Sequence, residues 1–318
     1  MSVTPPRLSV IIPAHNAASV LGEQLEALRV QEGADPFEVL VCDNNSTDGT
    51  AQLALDEAGS LDLRVVDASG PARASHARNR GASAARGAVL LFCDADDLVD
   101  AHWVRELSAP LLDGADVIAA GALHHERFND TDVLAAYGIT PDPDPASTPE
   151  SKAPAGYAGY LPTAPGGNFA IRPDRYLALG GMDPSYPGGA EETDFAWRAQ
   201  LTGTEVVTRP RAVVHYRLKH APRALFRQQR IQHCARILLW TRYRSSGMTG
   251  PSLKHSIVQI AFQVPNLLRR QSRADRLRTA RILGGNVGAL QGILAFRILR
   301  LNPAPQSITA ETLGAPAR

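Results

Sequence analysis

Short strand-like runs at residues 8–12, 38–42, 63–66, 88–93 and 116–120 alternate with helical patterns at 17–31, 50–58, 74–85 and 102–112. The run at 88–93 is apolar throughout. A strand with two apolar faces must be covered on both, and a helix between successive strands supplies the cover and the parallel crossover. The expected fold is therefore α/β, a mostly parallel sheet flanked by helices. In open sheets of this kind ligands bind beyond the carboxyl ends of the strands. Two polar clusters, 43–48 and 94–97, fall at those ends.

Residues 140–165 are rich in Pro, Ala, Gly and Ser and read as a long loop, mobile or functional. A strand at 166–172, a helical turn at 173–179 and a break at Gly180 and Gly181 follow. The helix expected over 190–201 opens with three acids, where the helix dipole favours negative charge. Short strands are expected at 205–208 and 212–216. Beyond 221 the pattern is helical only, at 225–243, 253–270 and 274–301, each apolar on one side and basic on the other. These limits divide the chain into a mixed unit at 1–220, a basic helical region at 221–302 and a flexible tail at 303–318.

The net charge of +1 hides a sharp split. Residues 1–208 carry 13 basic and 30 acidic residues, a net of −17, whereas 209–300 carry 19 basic residues against Asp275 alone, a net of +18. Such asymmetry suggests two jobs. No nucleic-acid module is visible in the basic half, so no nucleic acid is expected as a partner. Three cysteines, none in a CxxC pair, are too few for a disulfide framework, and Cys42 and Cys93, each ending an apolar run, read as buried free thiols. The first residues lack the pattern of a secretory signal, and no uncharged apolar stretch reaches the ~18 residues that span a bilayer.

Asp94 and Asp96 are two apart, so on an extended segment they point the same way. With Asp97 they form a cluster that repels itself unless a cation or a set of donors offsets it. Hard oxygen ligands suit Mg²⁺ or Mn²⁺, and Mg²⁺ commonly joins one or two carboxylates to substrate phosphates. The alternative is that Asp96 and Asp97 cap the next helix.

The ordered segments LSVIIPAHN from Leu8, VCDNNSTDGT from Val41, SHARNRG from Ser75, LLFCDADD from Leu90, GNFAIR from Gly167, GGMD from Gly180 and EETDFAWR from Glu191 resemble the family 2 glycosyltransferases. The resemblance covers residues 8–217 and rests on the order and spacing of the motifs. It implies a GT-A-type nucleotide-binding sheet in residues 1–220 and an inverting transfer of a sugar from a nucleoside diphosphate sugar, by family habit a UDP-sugar. Pro13, Ala14, His15, Asn16 and Asp43 match positions that hold base and ribose, and Arg78 matches an arginine near the nucleotide. Asp94, Ala95 and Asp96 match the Asp-x-Asp motif, the first acid facing ribose and the second a divalent cation. His215 matches a position that completes the metal site in some members. Gly167 and Asn168 match a segment approaching the donor sugar and the acceptor. The family's base stands in a Glu-Asp-x-Asp-like segment, which here reads Glu191-Glu192-Thr193-Asp194. The usual aspartate is replaced by Glu192, which is favoured as the base, with Asp194 second and Glu191 third.

Two rival readings share these residues. A sugar nucleotidyltransferase would carry a Gly-rich basic loop after its first strand, which PAHN is not. A non-catalytic scaffold would not need the intact acids. The acceptor, whether glycan, lipid-linked or small molecule, is not legible. The basic C-terminal helices, with Trp240 and several leucines, fit either a protein surface or an anionic membrane. The expected location is cytoplasmic, at the inner face of the cell membrane if the helices bind lipid.

Overall fold

The structure is a computed structural model and describes residues 7–140, 156–267, 269 and 271–308. Most of the loop expected at 140–165, Arg270 and the last part of the expected tail lie outside the described residues. β1 (Leu8–Ala14), β2 (Phe37–Asp43), β3 (Asp62–Asp67) and β4 (Val89–Cys93) alternate with α1 (Leu21–Arg29), α2 (Thr50–Asp56) and α3 (Ala74–Ala84). β5 (Leu98–Val99), α4 (Trp103–Leu112), β6 (Val117–His124) and α5 (Thr131–Tyr137) follow. Then come β7 (Asn168–Ile171), α6 (Pro173–Ala178), α7 (Glu191–Leu201) and β8 (Glu205–His215).

The eight strands form one sheet in the order β3-β2-β1-β4-β7-β6-β8-β5. The β3-β2-β1-β4 half is parallel, whereas β7 runs antiparallel to both β4 and β6, so the sheet is mixed. Strand order reverses at β1, whose neighbours β2 and β4 lie on opposite sides. This is the switch point at which an open α/β sheet leaves a crevice. On one face Leu21, Leu25 and Leu28, at helical spacing along α1, pack with Trp103 and Leu107 of α4 against β1 and β4. On the other, Ala77 and Ala82 of α3 and Phe195 and Ala196 of α7 cover Ile11, Leu40 and Phe92.

The two short strands expected at 205–208 and 212–216 are one strand, β8. Its register against β6 jumps between Gly121 and Ala122, whose partners are Arg209 and Val213. Pro210, which has no N–H to give a ladder, lies in that irregularity. The sequence reading also missed α5, although Asp130 caps it by accepting from Val133 N at 3.0 Å and Gly138 closes it at φ 71°.

The C-terminal region folds as α8 (Pro222–Tyr243), α9 (Leu253–Leu267) and α10 (Arg273–Gly292), with a π-helical turn at Ile293–Ile298. α10 therefore ends earlier than the expected 301. Gly284 and Gly288, one turn apart on α10, face α8 so closely that a Cβ would meet the Phe226 and Arg230 carbonyl oxygens at 2.5 and 2.1 Å. Glycine there lets the two backbones touch. The helical region is fastened to the sheet unit through the buried Asp194 of α7, which accepts from Tyr243 Oη of α8 at 2.9 Å, Tyr186 Oη at 3.1 Å and Arg198 Nε at 2.8 Å. Of the expected tail, 303–308 is tied down: Gln306 N donates to Asp183 at 3.1 Å and Ile308 N to Gly180 O at 2.8 Å. Arg242 of α8 pairs with the same Asp183 at 2.8 Å.

Candidate active site

A cavity of about 520 Å³ opens at the switch point. It is lined by Pro13, Ala14, His15 and Asn16 beyond β1, by Arg78 of α3, and by Asp94, Ala95 and Asp96 beyond β4. Eight of the residues expected to bind a nucleotide donor or cation are thus brought together. Of the turn-rich run after β2, Asn44 lines the cavity, and the residues beyond it buttress the first loop. Ser46 Oγ accepts from Asn16 N, Thr50 Oγ1 from Ala17 N and Asp48 Oδ2 from Ala18 N, at 2.8–3.0 Å. Asn16 itself is left-handed at φ 51°, and its amide oxygen accepts from Thr47 N. Asp43, expected at the base or ribose, is not among the lining residues; its Oδ1 accepts from Ser46 N, three residues on, at 3.2 Å.

Arg78 is 5% exposed and donates to Asp94 Oδ1 at 2.6 Å. Asp96 is more open and stands 3.3 Å from Lys219 Nζ. Asp97 is buried: Oδ1 accepts from Arg217 N, and Oδ2 has no partner. Burial, and then the charges of Asp94 and Asp96, push the Asp97 carboxyl up to about 8. The available donors are hard oxygens, of the kind that Mg²⁺ and Mn²⁺ take. Among the described residues no three His, Cys, Asp or Glu side chains gather as a complete metal site. Asp94 and Asp96 are the carboxylates at this cavity that offer such oxygens.

His215, expected beside that cation, does not line this cavity. Paired with Leu98 at the end of β8, it faces a separate cavity, with its ring 3.9 Å from Asp100 and edge-on to His124. Asn168, expected near the donor sugar, is fully buried. Its Oδ1 accepts from Trp103 Nε1 at 2.8 Å, and its Nδ2 donates to the Ala122 and Ala212 carbonyls. It joins β7, β6 and β8 instead of facing a ligand.

A second cavity, about 530 Å³, begins beside the 166–167 turn, at Pro165. It is lined by Glu192 and Thr193 of α7, Tyr157, and Gln232, His233 and Arg236 of α8. Residues of both cavities converge on this turn. A Cβ at Gly166 would stand 3.4 Å from Glu192 Cβ and 3.6 Å from Arg78 Nη1, and one at Gly167 would stand 2.5 Å from Asp94 Oδ2. Glycine at 167 is thus required by the closeness of the Asp94 carboxylate. Gly167→Ala is expected to cost about 1–3 kcal/mol by overpacking and to displace the Arg78–Asp94 pair. Urea unfolding checks the first effect; an unchanged unfolding midpoint would count against this packing.

Burial raises both Glu191 and Glu192 above the usual carboxylate range, while Arg78 pulls each of them down. For Glu191 the neighbouring Glu192 charge adds to the rise. Glu191 is buried with Oε2 unpartnered and lines neither cavity. Asp194 is engaged by two tyrosines and Arg198. Of the three acids only Glu192 reaches a cavity. Sequence reasoning missed Arg73 and Lys219 in the first cavity and Tyr157, Gln232, His233 and Arg236 in the second.

The chain belongs to glycosyl transferase family 2, whose family model matches residues 9–171, about half of the chain. Glycosyltransferase AglE of Haloferax volcanii is 34% identical over 121 residues, 37% of this chain and 40% of AglE. Poly(ribitol-phosphate) beta-N-acetylglucosaminyltransferase TarS of Staphylococcus aureus is 32% identical over 108 residues, 32% of this chain and 18% of TarS. The matches thus span two fifths or less of these curated relatives. Mannosyltransferase PcManGT from Pyrobaculum calidifontis, solved with GDP-Man and Mn²⁺, has a TM-score of 0.58 at 18% identity, covering 91% of this chain and 90% of that one. S. aureus TarS 1-349 in complex with UDP-GlcNAc has a TM-score of 0.52 at 15% identity, covering 92% of each chain. These likenesses establish the GT-A-type fold.

Proposed function

We propose that the protein is an inverting glycosyltransferase that moves a sugar from a nucleoside diphosphate sugar, a UDP-sugar by preference, to an acceptor hydroxyl. The observation that carries the reading is convergence: the Arg78–Asp94 pair and Glu192 all approach the two-glycine turn at 166–167. The donor lies in the first cavity, with its base and ribose against Pro13, Ala14, His15 and Asn16 and its ribose near Asp94. The N-terminus of α3, at Ala74, lines the same cavity and favours phosphate by its free N–H groups. Asp96 would hold a divalent cation, which when bound supplies charge compensation for the leaving diphosphate. The acceptor enters from the second cavity. Glu192 takes the proton of its hydroxyl as that oxygen bonds to the anomeric carbon, and the bond to the diphosphate oxygen breaks with the electron pair leaving on the nucleotide. Attack from the face opposite the leaving group inverts the centre. The relatives support the donor class: TarS is solved with UDP-GlcNAc and PcManGT with GDP-Man.

Calorimetric titration with UDP and GDP, with Mn²⁺ and with chelator, tests this reading. Wild type is expected to bind one nucleotide in a metal-dependent way, and Asp96→Ala to lose that dependence. Failure to bind either nucleotide in any condition would contradict the reading.

The same reading gives the helical region a peripheral contact with an anionic membrane. No helix among the described residues is long and apolar enough to cross a membrane. α9 nevertheless leaves Ile257 52%, Phe262 70% and Leu267 62% exposed. Arg223, Arg269 and Arg276 line a cavity with Leu267 that contains no acid. An apolar helix face beside arginines matches the interface of a bilayer with anionic lipids. Burying each large side chain contributes about 1.5–3 kcal/mol. Ile257→Asp with Phe262→Asp is therefore expected to abolish flotation on phosphatidylglycerol-containing vesicles. Equal flotation of both proteins, or none by wild type, would contradict the contact.

A further inference from the structure

The second cavity holds a positive charge that the transfer step does not use. Arg236 of α8 lines it together with Glu192, and the guanidinium sits 5.1 Å from the centre of the Tyr157 ring. Its Nε is buried without a hydrogen-bond partner, and among the described residues Arg236 makes no ion pair. Elsewhere in the C-terminal region buried or half-buried arginines are engaged: Arg242 with Asp183, Arg281 with the Ala136 carbonyl, Arg230 with Gln291. A buried donor left unsatisfied loses its hydration with nothing in return, the more so when charged, so the fold keeps Arg236 at a real expense. His233, one turn before it on the same helix, is held neutral: burial, with Arg236 and Arg281 adding to it, pushes its imidazole down to about 4. It therefore neither repels Arg236 nor competes with it for an anion at neutral pH. Tyr157 offers an aromatic face beside the guanidinium, and Gln232 an amide.

We propose that Arg236 is a specificity-determining residue, and that the acceptor of this transferase carries an oxyanion, a phosphate or a carboxylate, close to the hydroxyl that is glycosylated. This rests on the transferase reading above and adds the acceptor's chemical class to it. Arg236 binds the oxyanion through the forked guanidinium geometry that suits both groups. Glu192 remains across the cavity for the hydroxyl proton. A neutral polyol or sugar leaves Arg236 without a partner on desolvation and is rejected by that penalty, while an anion removes it.

The test is ligand-observed NMR titration of the full chain, saturated with UDP and MgCl₂ so that anions are excluded from the nucleotide cavity. The probes are glycerol 3-phosphate against glycerol, and glucuronate against glucose. The two pairs separate a phosphate acceptor from a carboxylate one. One of the two anions is expected to bind at least about tenfold more tightly than its neutral counterpart, a difference of 1.4 kcal/mol. Arg236→Met is expected to abolish that difference and Arg236→Lys to restore part of it, with UDP affinity unchanged in both. Overturning results are equal binding of anion and neutral probe, failure of both anions to bind wild type, or an anion preference that survives Arg236→Met. UDP affinity is read separately. Failure of the nucleotide to bind therefore counts against the transferase reading, and failure of the anions against this one.

Discussion

Glu192→Gln is expected to retain the wild-type affinity for the sugar nucleotide and to lose about 10²- to 10⁴-fold in acceptor-dependent turnover, the usual contribution of a positioned base. The amide keeps the shape and the hydrogen-bonding length of the side chain but cannot accept the proton. The argument for Glu192 over its neighbours is geometric, because it alone of the three acids reaches a cavity. Its pKa direction makes a second check. Burial raises the Glu192 carboxyl above its ordinary value, so the base is protonated, and the rate falls, at a pH above the usual carboxylate range. Arg78 opposes that rise and the Asp94 charge adds to it. The pH–rate profile of the wild type reads the effect. Turnover unchanged in Glu192→Gln would remove it from the chemistry.

Asp194→Ala is expected to act on stability instead, by about 3–5 kcal/mol, the cost of breaking a buried charge pair by removing one partner. The loss has identifiable parts. Arg198 loses its 2.8 Å carboxylate partner, and the buried Tyr186 and Tyr243 hydroxyls lose their acceptor. Since Tyr243 belongs to α8, the same substitution loosens the helical region from the sheet unit. Trp197, which packs edge-on to Tyr243 at 5.0 Å between centroids, loses part of that packing. Urea unfolding gives the free energy. A variant as stable as wild type but inactive would assign Asp194 to the chemistry and undo the assignment of Glu192.

What was legible in the sequence was local. Residues 13–16 and 94–96 follow strands, and a parallel sheet with a reversal of strand order brings such strand ends together whatever else surrounds them. Arg78 was legible through its motif. Lys219 was not, because its approach to Asp96 depends on where the chain leaves β8. Arg236 belongs to a stretch legible only as a basic amphipathic helix, and nothing in the sequence singles out His233. Only the packing of α8 beside α7, through Asp194 and Trp197, turns them into a cavity wall. His215 and Asn168 show the opposite failure. Both stand at strand ends, as expected, but side chains along a strand alternate between its faces, and that choice directs His215 to Asp100 and Asn168 into the core. The two strands expected at 205–208 and 212–216 are one, because the irregular pairing with β6 absorbs Pro210 between them.

The measurement that bears most directly on the central claim is nucleoside diphosphate release from a panel of UDP-, GDP- and TDP-sugars, run with Mn²⁺, with Mg²⁺ and with chelator, beside Asp96→Ala. The account predicts slow hydrolysis of one donor by wild type, dependent on the metal and lost in Asp96→Ala. Metal-independent release, or release at the wild-type rate by Asp96→Ala, would contradict it.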